Sequence, residues 1–320
     1  MIIVTGGAGF IGSCIARRLN ENGRDNLIIV DQLGEGEKWK NLRNISYAEY
    51  INKYELFEEL HSIGEIEAII HMGACSATTE RDADYLMENN YRYSVALADF
   101  CVTNDIRFIY ASSAATYGSE EAVCLDDETT LESLQPMNMY GYSKQLFDLK
   151  ARREGWLDKI AGLKFFNVYG PNEYHKGDMS SVIFKAFNQI QESGKVRLFK
   201  SHRPDFKDGL QKRDFVYVKD AAEIVMHLLE HPKVNGIYNA GSGEARTFKD
   251  LVTATFQAMS LEPKIEYIDI PEAIRDRYQY YTQADMSKLR ATGFEKEFHS
   301  LEAGVGDYVK NYLMQNIRNY

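Results

Sequence analysis

Tyr140 and Lys144 stand four positions apart in Tyr140-Gly-Tyr-Ser-Lys144. On a helix that spacing puts both side chains on one face. A tyrosine hydroxyl ordinarily titrates at about pKa 10. A neighbouring ammonium favours its phenolate, and a phenolate is a base suited to a sugar or alcohol hydroxyl. Ser113, in Tyr110-Ala-Ser-Ser-Ala-Ala-Thr-Tyr-Gly118, offers a hydroxyl to the same substrate oxygen. A second signature opens the chain. Gly6-Gly-Ala-Gly-Phe-Ile-Gly12 fits G-x-G-x-x-G on Gly7, Gly9 and Gly12, and G-x-x-G-x-x-G on Gly6, Gly9 and Gly12. Such glycines allow a tight turn, a close backbone approach to a pyrophosphate, and a helix seated close on its sheet. The helix N-terminus then meets the anion.

These groups need elements to carry them. Apolar runs at Ile2–Thr5, Leu27–Val30, Ala68–His71, Arg107–Ala111 and Leu163–Val168 are predicted strands. Helices are predicted to begin near Gly9, Lys53, Ala83 and Met139. This alternation predicts an α/β fold with a parallel sheet covered on both faces. Ser113 then lies at a strand's carboxyl end, where open parallel sheets bind ligands. Asp31 ends the second strand, placed for a ribose 2′-OH, which favours NAD. Lys38, Lys40 and Lys53 follow, and cations there suit a 2′-phosphate, so NAD and NADP both stay open. Beyond about residue 170 the chain turns polar, notably at Pro171–Met179 and Ser201–Lys212. Alternation resumes at Phe215–Val218 and Ile237–Ala240. A smaller lobe woven from later segments is expected.

Composition narrows the function. The 320 residues carry 37 Lys+Arg against 47 Asp+Glu, a net charge of −10. Such a chain lacks the field that gathers nucleic acid or anionic membranes. It has no apolar run long enough to span a bilayer. Met1–Thr5 leads directly into the glycine turn, so no signal peptide and a cytoplasmic location are expected. Cys14, Cys75, Cys101 and Cys124 form no metal-ligand spacing and are expected to be free thiols, with no metal bound.

Taken together, Thr5–Gly12, Tyr140-x-x-x-Lys144 and Arg213-Asp-Phe-Val-Tyr-Val218 resemble the extended short-chain dehydrogenase/reductase superfamily, most of whose members act on nucleotide sugars. Within it the chain is similar to the heptose 6-epimerases. The carrying stretches are His71–Thr79, Asn89–Tyr91, Tyr110–Gly118, Asn138–Lys144, Phe166–Pro171, His175–Gly177 and Arg277–Asp285. The resemblance implies a Rossmann-type doubly wound sheet with a smaller interwoven α/β substrate lobe. The dinucleotide domain would be 1–167 with about 214–240 and 277–290. The nucleotide-sugar lobe would be about 168–213, 241–276 and 291–320. It further implies that bound NADP oxidises C6″ of ADP-D-glycero-D-manno-heptose to a ketone and returns the hydride to the other face, giving the L-glycero epimer. Tyr140 and Lys176 would be the two bases, with Ser113 the hydroxyl partner. Cofactor contacts would fall to Gly6, Gly9, Phe10, Ile11, Gly12, Asp31, Gln32, Lys38, Lys53, Met72, Gly73, Ala74, Cys75, Ser76, Asn89, Lys144, Val168 and Lys176. Substrate contacts would fall to Asn167, Asp178, Lys185, Phe199, Lys200, Ser201, His202, Arg213 and Tyr278. Arg213 can bond two diphosphate oxygens at once; the plainer reading is a salt bridge to Asp214 or Asp220. A homo-oligomer, a pentamer, and a role in lipopolysaccharide core synthesis are implied as well.

The sequence also departs from the family pattern. Gln32 stands where Asn is usual, Asp178 where Ser is, and Lys185 where His is, and the 201–212 segment is long. Asp178 is expected to pair with Lys176 or Lys185. The alternative enzyme is another nucleotide-sugar epimerase, such as a UDP-hexose 4-epimerase. A 4,6-dehydratase lacks its acidic pair here, where Ala115 and Thr116 stand. A cofactor-sensing regulator on the same fold would not need the Tyr140/Lys144 pair.

Overall fold

The computed structural model describes residues 1–119, 122–275 and 278–320, apart from the side chains of Ala273 and Ile274. Arg277, part of one stretch cited above, lies outside the described residues. Seven strands form the central sheet: β1 Ile2–Thr5, β2 Leu27–Asp31, β3 Glu49–Asn52, β4 Ala68–His71, β5 Arg107–Ser113, β6 Ala161–Phe165 and β7 Gly236–Ala240. They lie in the order β7-β6-β5-β4-β1-β2-β3, every pair parallel. The strand order reverses between β1 and β4. There the turn after β1 meets the loop after β4 at the carboxyl ends, where open parallel sheets bind their ligands.

The sheet is apolar on both faces, because alternate residues of each strand point to opposite sides. Ile2, Val4, Ile29, Ile70 and Leu163 join one core, with Ile15 and Leu19 of helix α1 (Phe10–Glu21). Ile3, Ile28, Ile69, Phe108 and Tyr110 join the other, with Leu97 of α2 (Tyr93–Thr103) and Phe147 of α3 (Met139–Arg153). A third core holds α4 (Val182–Ser193), α5 (Val218–Glu230) at its start, α6 (Phe248–Ala258) and α7 (Leu301–Tyr308), around Phe187, Phe215, Val218, Phe256 and Tyr308. Its strands are short: Lys212–Tyr217 runs parallel to Asn167–Tyr169 and antiparallel to Ala245–Thr247, and Val196–Phe199 pairs with Ile265–Ile268.

The expected strand Leu163–Val168 is two strands in two sheets. Phe166 donates to the Ala240 carbonyl, and Val168 turns back onto the Phe166 carbonyl at 2.9 Å. The apolar pattern runs unbroken through this swerve, so it could not reveal it. The edge strand β3 escaped notice because its exposed side interrupts the apolar run. The helix expected near Lys53 is the single turn Leu56–Glu59.

One buried ion pair ties β5 and β6 to α3. Asp148 and Lys164 are 0% and 1% exposed, and Lys164 Nζ lies 2.8 Å from Asp148 Oδ2. Ser112 Oγ donates to Asp148 at 2.7 Å and Tyr110 OH at 3.0 Å. Lys164 also donates to Thr116 Oγ1 at 2.6 Å, which in turn donates to the Ser113 carbonyl at 2.8 Å. Lys164→Met would strand a buried carboxylate, at a cost of about 3–5 kcal/mol. The double variant Lys164→Met/Asp148→Leu, with no charge left over, should recover much of that. Urea unfolding midpoints check this; a single variant no less stable than the double would refute it.

Candidate active site

The glycine turn is shaped by close approach. A Cβ on Gly12 would lie 2.2 Å from the Gly6 carbonyl oxygen, so only glycine lets α1 start so near the turn. Gly9 caps α1 without a side chain, and no acidic residue stands in the first turn. The first N–H groups are therefore left without a side-chain acceptor, the arrangement that holds a phosphate. The loop after β4 forms the facing wall. Met72 N–H donates to the Thr5 carbonyl at 3.0 Å. Asn90 grips Cys75 by both its N–H and its carbonyl, each at 2.9 Å, and reaches Ser143 Oγ of α3 at 3.1 Å. Gly73, Ala74 and Ser76 complete this loop. Asn89, the sequence-predicted contact, bonds Asn90 and accepts from Lys53 Nζ at 2.7 Å. The Asn-Asn pair gave no sign of which side chain is buried.

At the ribose end, Asp31 is not an isolated carboxylate. It accepts from the Ala8 N–H at 2.9 Å, the Gln32 N–H at 2.7 Å and Lys38 Nζ at 2.6 Å. Lys38 thus offsets the charge that would repel a 2′-phosphate. Lys53 and Gln32 stand beside it, joined through Tyr54, whose ring Lys53 covers and whose hydroxyl donates to Gln32.

Tyr140 and Lys144 sit on the first turns of α3, capped by Asn138, whose side chain accepts from Gly141 N–H at 2.8 Å. A Cβ on Gly141 would come within 2.6 Å of the Ala115 carbonyl. Glycine there lets α3 press against the turn that follows Ser113. Ser113 hydrogen-bonds Tyr140 and pulls its phenol pKa down, but burial outweighs this and holds it above the ordinary value. The spacing predicts that the Lys144 ammonium favours the Tyr140 phenolate, but Lys144 does not set this shift. Burial does instead, and it acts on Lys144 as well, pushing that ammonium down to about 8 against the pull of Asp148. His71, bonded to Thr5 Oγ1 at 2.6 Å and Ser94 Oγ at 2.8 Å, is driven to about 3 by burial and by Lys144.

Lys176 lies at the cofactor end, its Nζ 5.4 Å from the Phe10 ring centroid. Burial lowers its pKa, and Glu173 works against that. Asp178 is therefore not its partner, contrary to one expectation; Lys185 Nζ donates to the Asp178 backbone carbonyl at 2.6 Å. The relevant carboxylate, Glu173, was missed. It is 1% exposed and accepts from Ser181 N–H at 2.5 Å and Ser181 Oγ at 2.6 Å, closing the loop that carries Lys176. His175 in that loop is pushed down to about 4 by burial, Lys38 and Lys176, so cations from two segments converge beside the glycine turn.

The predicted substrate residues gather in part. Phe199 and Tyr278 meet edge to face at 5.9 Å, and Arg213 stacks on Tyr278 at 5.5 Å and on Phe248 at 5.6 Å. Arg213 also donates to the carbonyls of Lys212 and Gln279. Asp214 is occupied by Ser242, Gly243 and Ala284, and Asp220 by His299, so neither pairs with Arg213 in the way considered above. His202 N–H donates to Tyr280 OH, and Ser201 Oγ to the Arg203 carbonyl. Lys200 pairs with Asp269 at the surface, away from this cluster. Asn167 and Val168 lie on the strand beside Phe215–Tyr217, with Asn167 exposed.

The model of the NAD dependent epimerase/dehydratase family matches residues 2–241. The chain belongs to that family. The ADP-L-glycero-D-manno-heptose-6-epimerase of Nitratidesulfovibrio vulgaris is 57% identical over 317 residues, 98% of each chain. That of Fusobacterium nucleatum is 51% identical over 325 residues, again 98% of each. The solved Helicobacter pylori ADP-L-glycero-D-manno-heptose-6-epimerase superposes with a TM-score of 0.81 at 26% identity, covering 97% of this chain and 95% of that one. The epimerase/dehydratase family is named for a nicotinamide dinucleotide, and the uncapped glycine turn fits one. No described helix is long and apolar enough to cross a membrane, no three described His, Cys, Asp or Glu cluster for a metal, and the four cysteines form no disulfide with one another.

Lys144 carries a pH-dependent cost to stability. Its folded pKa of about 8 lies below the unfolded 10.5, so the ammonium is penalised on folding at neutral pH. Relative to a non-titrating side chain this costs up to about 3 kcal/mol below pH 8 and vanishes above the unfolded value. Lys144→Met should therefore raise the denaturation midpoint at pH 7, with the gain fading as pH climbs through that window. A gain independent of pH would mean packing, not charge, is responsible.

Proposed function

We propose that this chain is an isomerase that inverts C6″ of ADP-D-glycero-D-manno-heptose to give ADP-L-glycero-D-manno-heptose, using a retained NADP. The observation that carries the reading is 57% identity, over 98% of each chain, to a relative bearing that name. The Ser113, Tyr140 and Lys144 geometry at the carboxyl end of β5 supports it. The glycine turn, Asp31 and Lys38 would hold the dinucleotide, which would supply a reversible hydride acceptor.

The chain's own residues supply the rest. Ser113 and Tyr140 hold the reacting hydroxyl, and Tyr140 takes its proton. Lys144 steadies the ribose and favours the phenolate when its ammonium is present. Lys176 serves as the second base for the opposite face, with Glu173 governing its charge. Asp31 paired with Lys38, and Lys53 nearby, favour the 2′-phosphate of NADP over NAD. Arg213, Tyr278 and Phe199 receive the nucleotide diphosphate end, with Asn167, Lys185 and His202 at its margins. The division into a dinucleotide domain and a sugar-nucleotide lobe follows the boundaries given above. A cytoplasmic homo-oligomer, pentameric, that supplies heptose for lipopolysaccharide core completes the reading.

Incubation with ADP-D-glycero-D-manno-heptose and no added cofactor should yield both C6″ epimers by NMR. No conversion, with turnover of UDP-glucose to UDP-galactose instead, would move the assignment to a 4-epimerase. Tyr140→Phe and Lys176→Met should each lower turnover by roughly 10²–10⁴, the range for one acid–base group. Wild-type turnover in Lys176→Met would return that residue to phosphate binding alone.

A further inference from the structure

Three asparagines from distant parts of the chain meet beside the glycine turn. Asn41, Asn172 and Asn319 are 2%, 0% and 5% exposed. Asn319 Nδ2 donates to Asn41 Oδ1 at 2.8 Å and to Asn172 Oδ1 at 3.3 Å. Tyr320 N–H donates to that same Asn172 oxygen at 2.9 Å. Asn41 Nδ2 donates to the carbonyls of Ala8 and Asn172, both at 3.0 Å. Asn172 Nδ2 donates to Ser13 Oγ at 2.9 Å. From the solvent side, Arg43 donates to Asn319 Oδ1 at 2.8 Å. Each amide spends both its donor and its acceptor side, as a buried network must.

The segments joined here are those that carry the cofactor residues. Ala8 lies in the glycine turn and Ser13 in the first turns of α1. Asn41 shares the short helix Glu37–Leu42 with Lys38. Asn172 begins the loop that reaches Lys176, and Tyr174 in that loop donates to the Arg318 carbonyl at 2.8 Å. Asn172 has φ +75°, in the left-handed region that asparagine adopts more readily than most side-chain-bearing residues. Asn319 thus hydrogen-bonds both lysine-bearing segments at once, and Asn41 carries the network on to the turn at Ala8.

We propose that Asn319 is a positioning residue: with Asn41 and Asn172 it forms an amide latch that holds the Lys38 and Lys176 segments against the glycine turn and so sets the residence time of the dinucleotide. The proposal rests on the dinucleotide reading of that turn. A network serving stability alone would alter unfolding and leave dissociation unchanged.

The test is the dissociation rate of NADPH, followed by its fluorescence after mixing with excess NADP⁺, in the full-length parent, Asn319→Asp and Arg43→Met. Asn319→Asp keeps the shape but sets a carboxylate against two amide oxygens. Dissociation should speed up by roughly 10- to 100-fold there, and by a few-fold in Arg43→Met, with native circular dichroism in both. Turnover lost by Asn319→Asp should return with excess NADP⁺. Dissociation within about twofold of the parent in both variants would overturn the latch. Should Asn319→Asp fail to fold, Arg43→Met at the solvent edge decides alone. A parent that binds neither NADPH nor NADH would overturn the dinucleotide reading itself, and the latch with it.

Discussion

A lysine and an aspartate with no access to water hold the candidate site together. Lys164 comes from β6 and Asp148 from α3, and between them they bind the hydroxyls of Ser112, Tyr110 and Thr116. Ser113 is thus fixed by its neighbour Ser112 and by its own carbonyl, and Tyr140 by the helix that Asp148 anchors. Tyr140, Lys144 and Asp148 follow one another at four-residue steps along one helix face. The same carboxylate that locks the geometry also sustains the charge on Lys144. Position and electrostatics at this site therefore have one origin.

The dinucleotide end obeys a second constraint, the cost of burying positive charge. Lys144, Lys176 and His175 are all pushed toward their neutral forms by burial. Carboxylates moderate this where they are close: Asp148 for Lys144 and Glu173 for Lys176. An anionic ligand entering beside the uncapped start of α1 would favour the charged forms again. A net negative chain can in this way keep a local site for phosphates, since short-range pairing outweighs the distant field.

Much of this was legible in the residues. The glycine turn, the strand ends at Thr5 and His71, and the start of α3 at Met139 fall where apolar runs and turn residues put them. Ser113 hydrogen-bonds Tyr140 across the end of β5, and Lys144 follows one turn further along α3. What periodicity could not expose was the swerve at Phe166, made by two backbone hydrogen bonds within an apolar run. Nor could it separate Asn90 from Asn89, or single out Glu173 in a polar loop. The sequence offered Asp178 as a partner for Lys176 or Lys185, and Lys185 bonds only its backbone carbonyl. The fold gives that part to Glu173, because the loop closes on the Glu173 carboxylate and leaves Asp178 facing solvent.

The sequence by itself determined the elements and the local chemistry: which runs must be buried, which turns need glycine, and which two side chains share a helix face. These follow from steric and hydrophobic rules that act over a few residues. The tertiary structure alone decided which charges face each other, which phenol and ammonium lose their water, and how Asn319 reaches Asn41 across 278 positions of chain. Hydrogen bonds and desolvation depend on distances in space. Only the packed chain sets those distances.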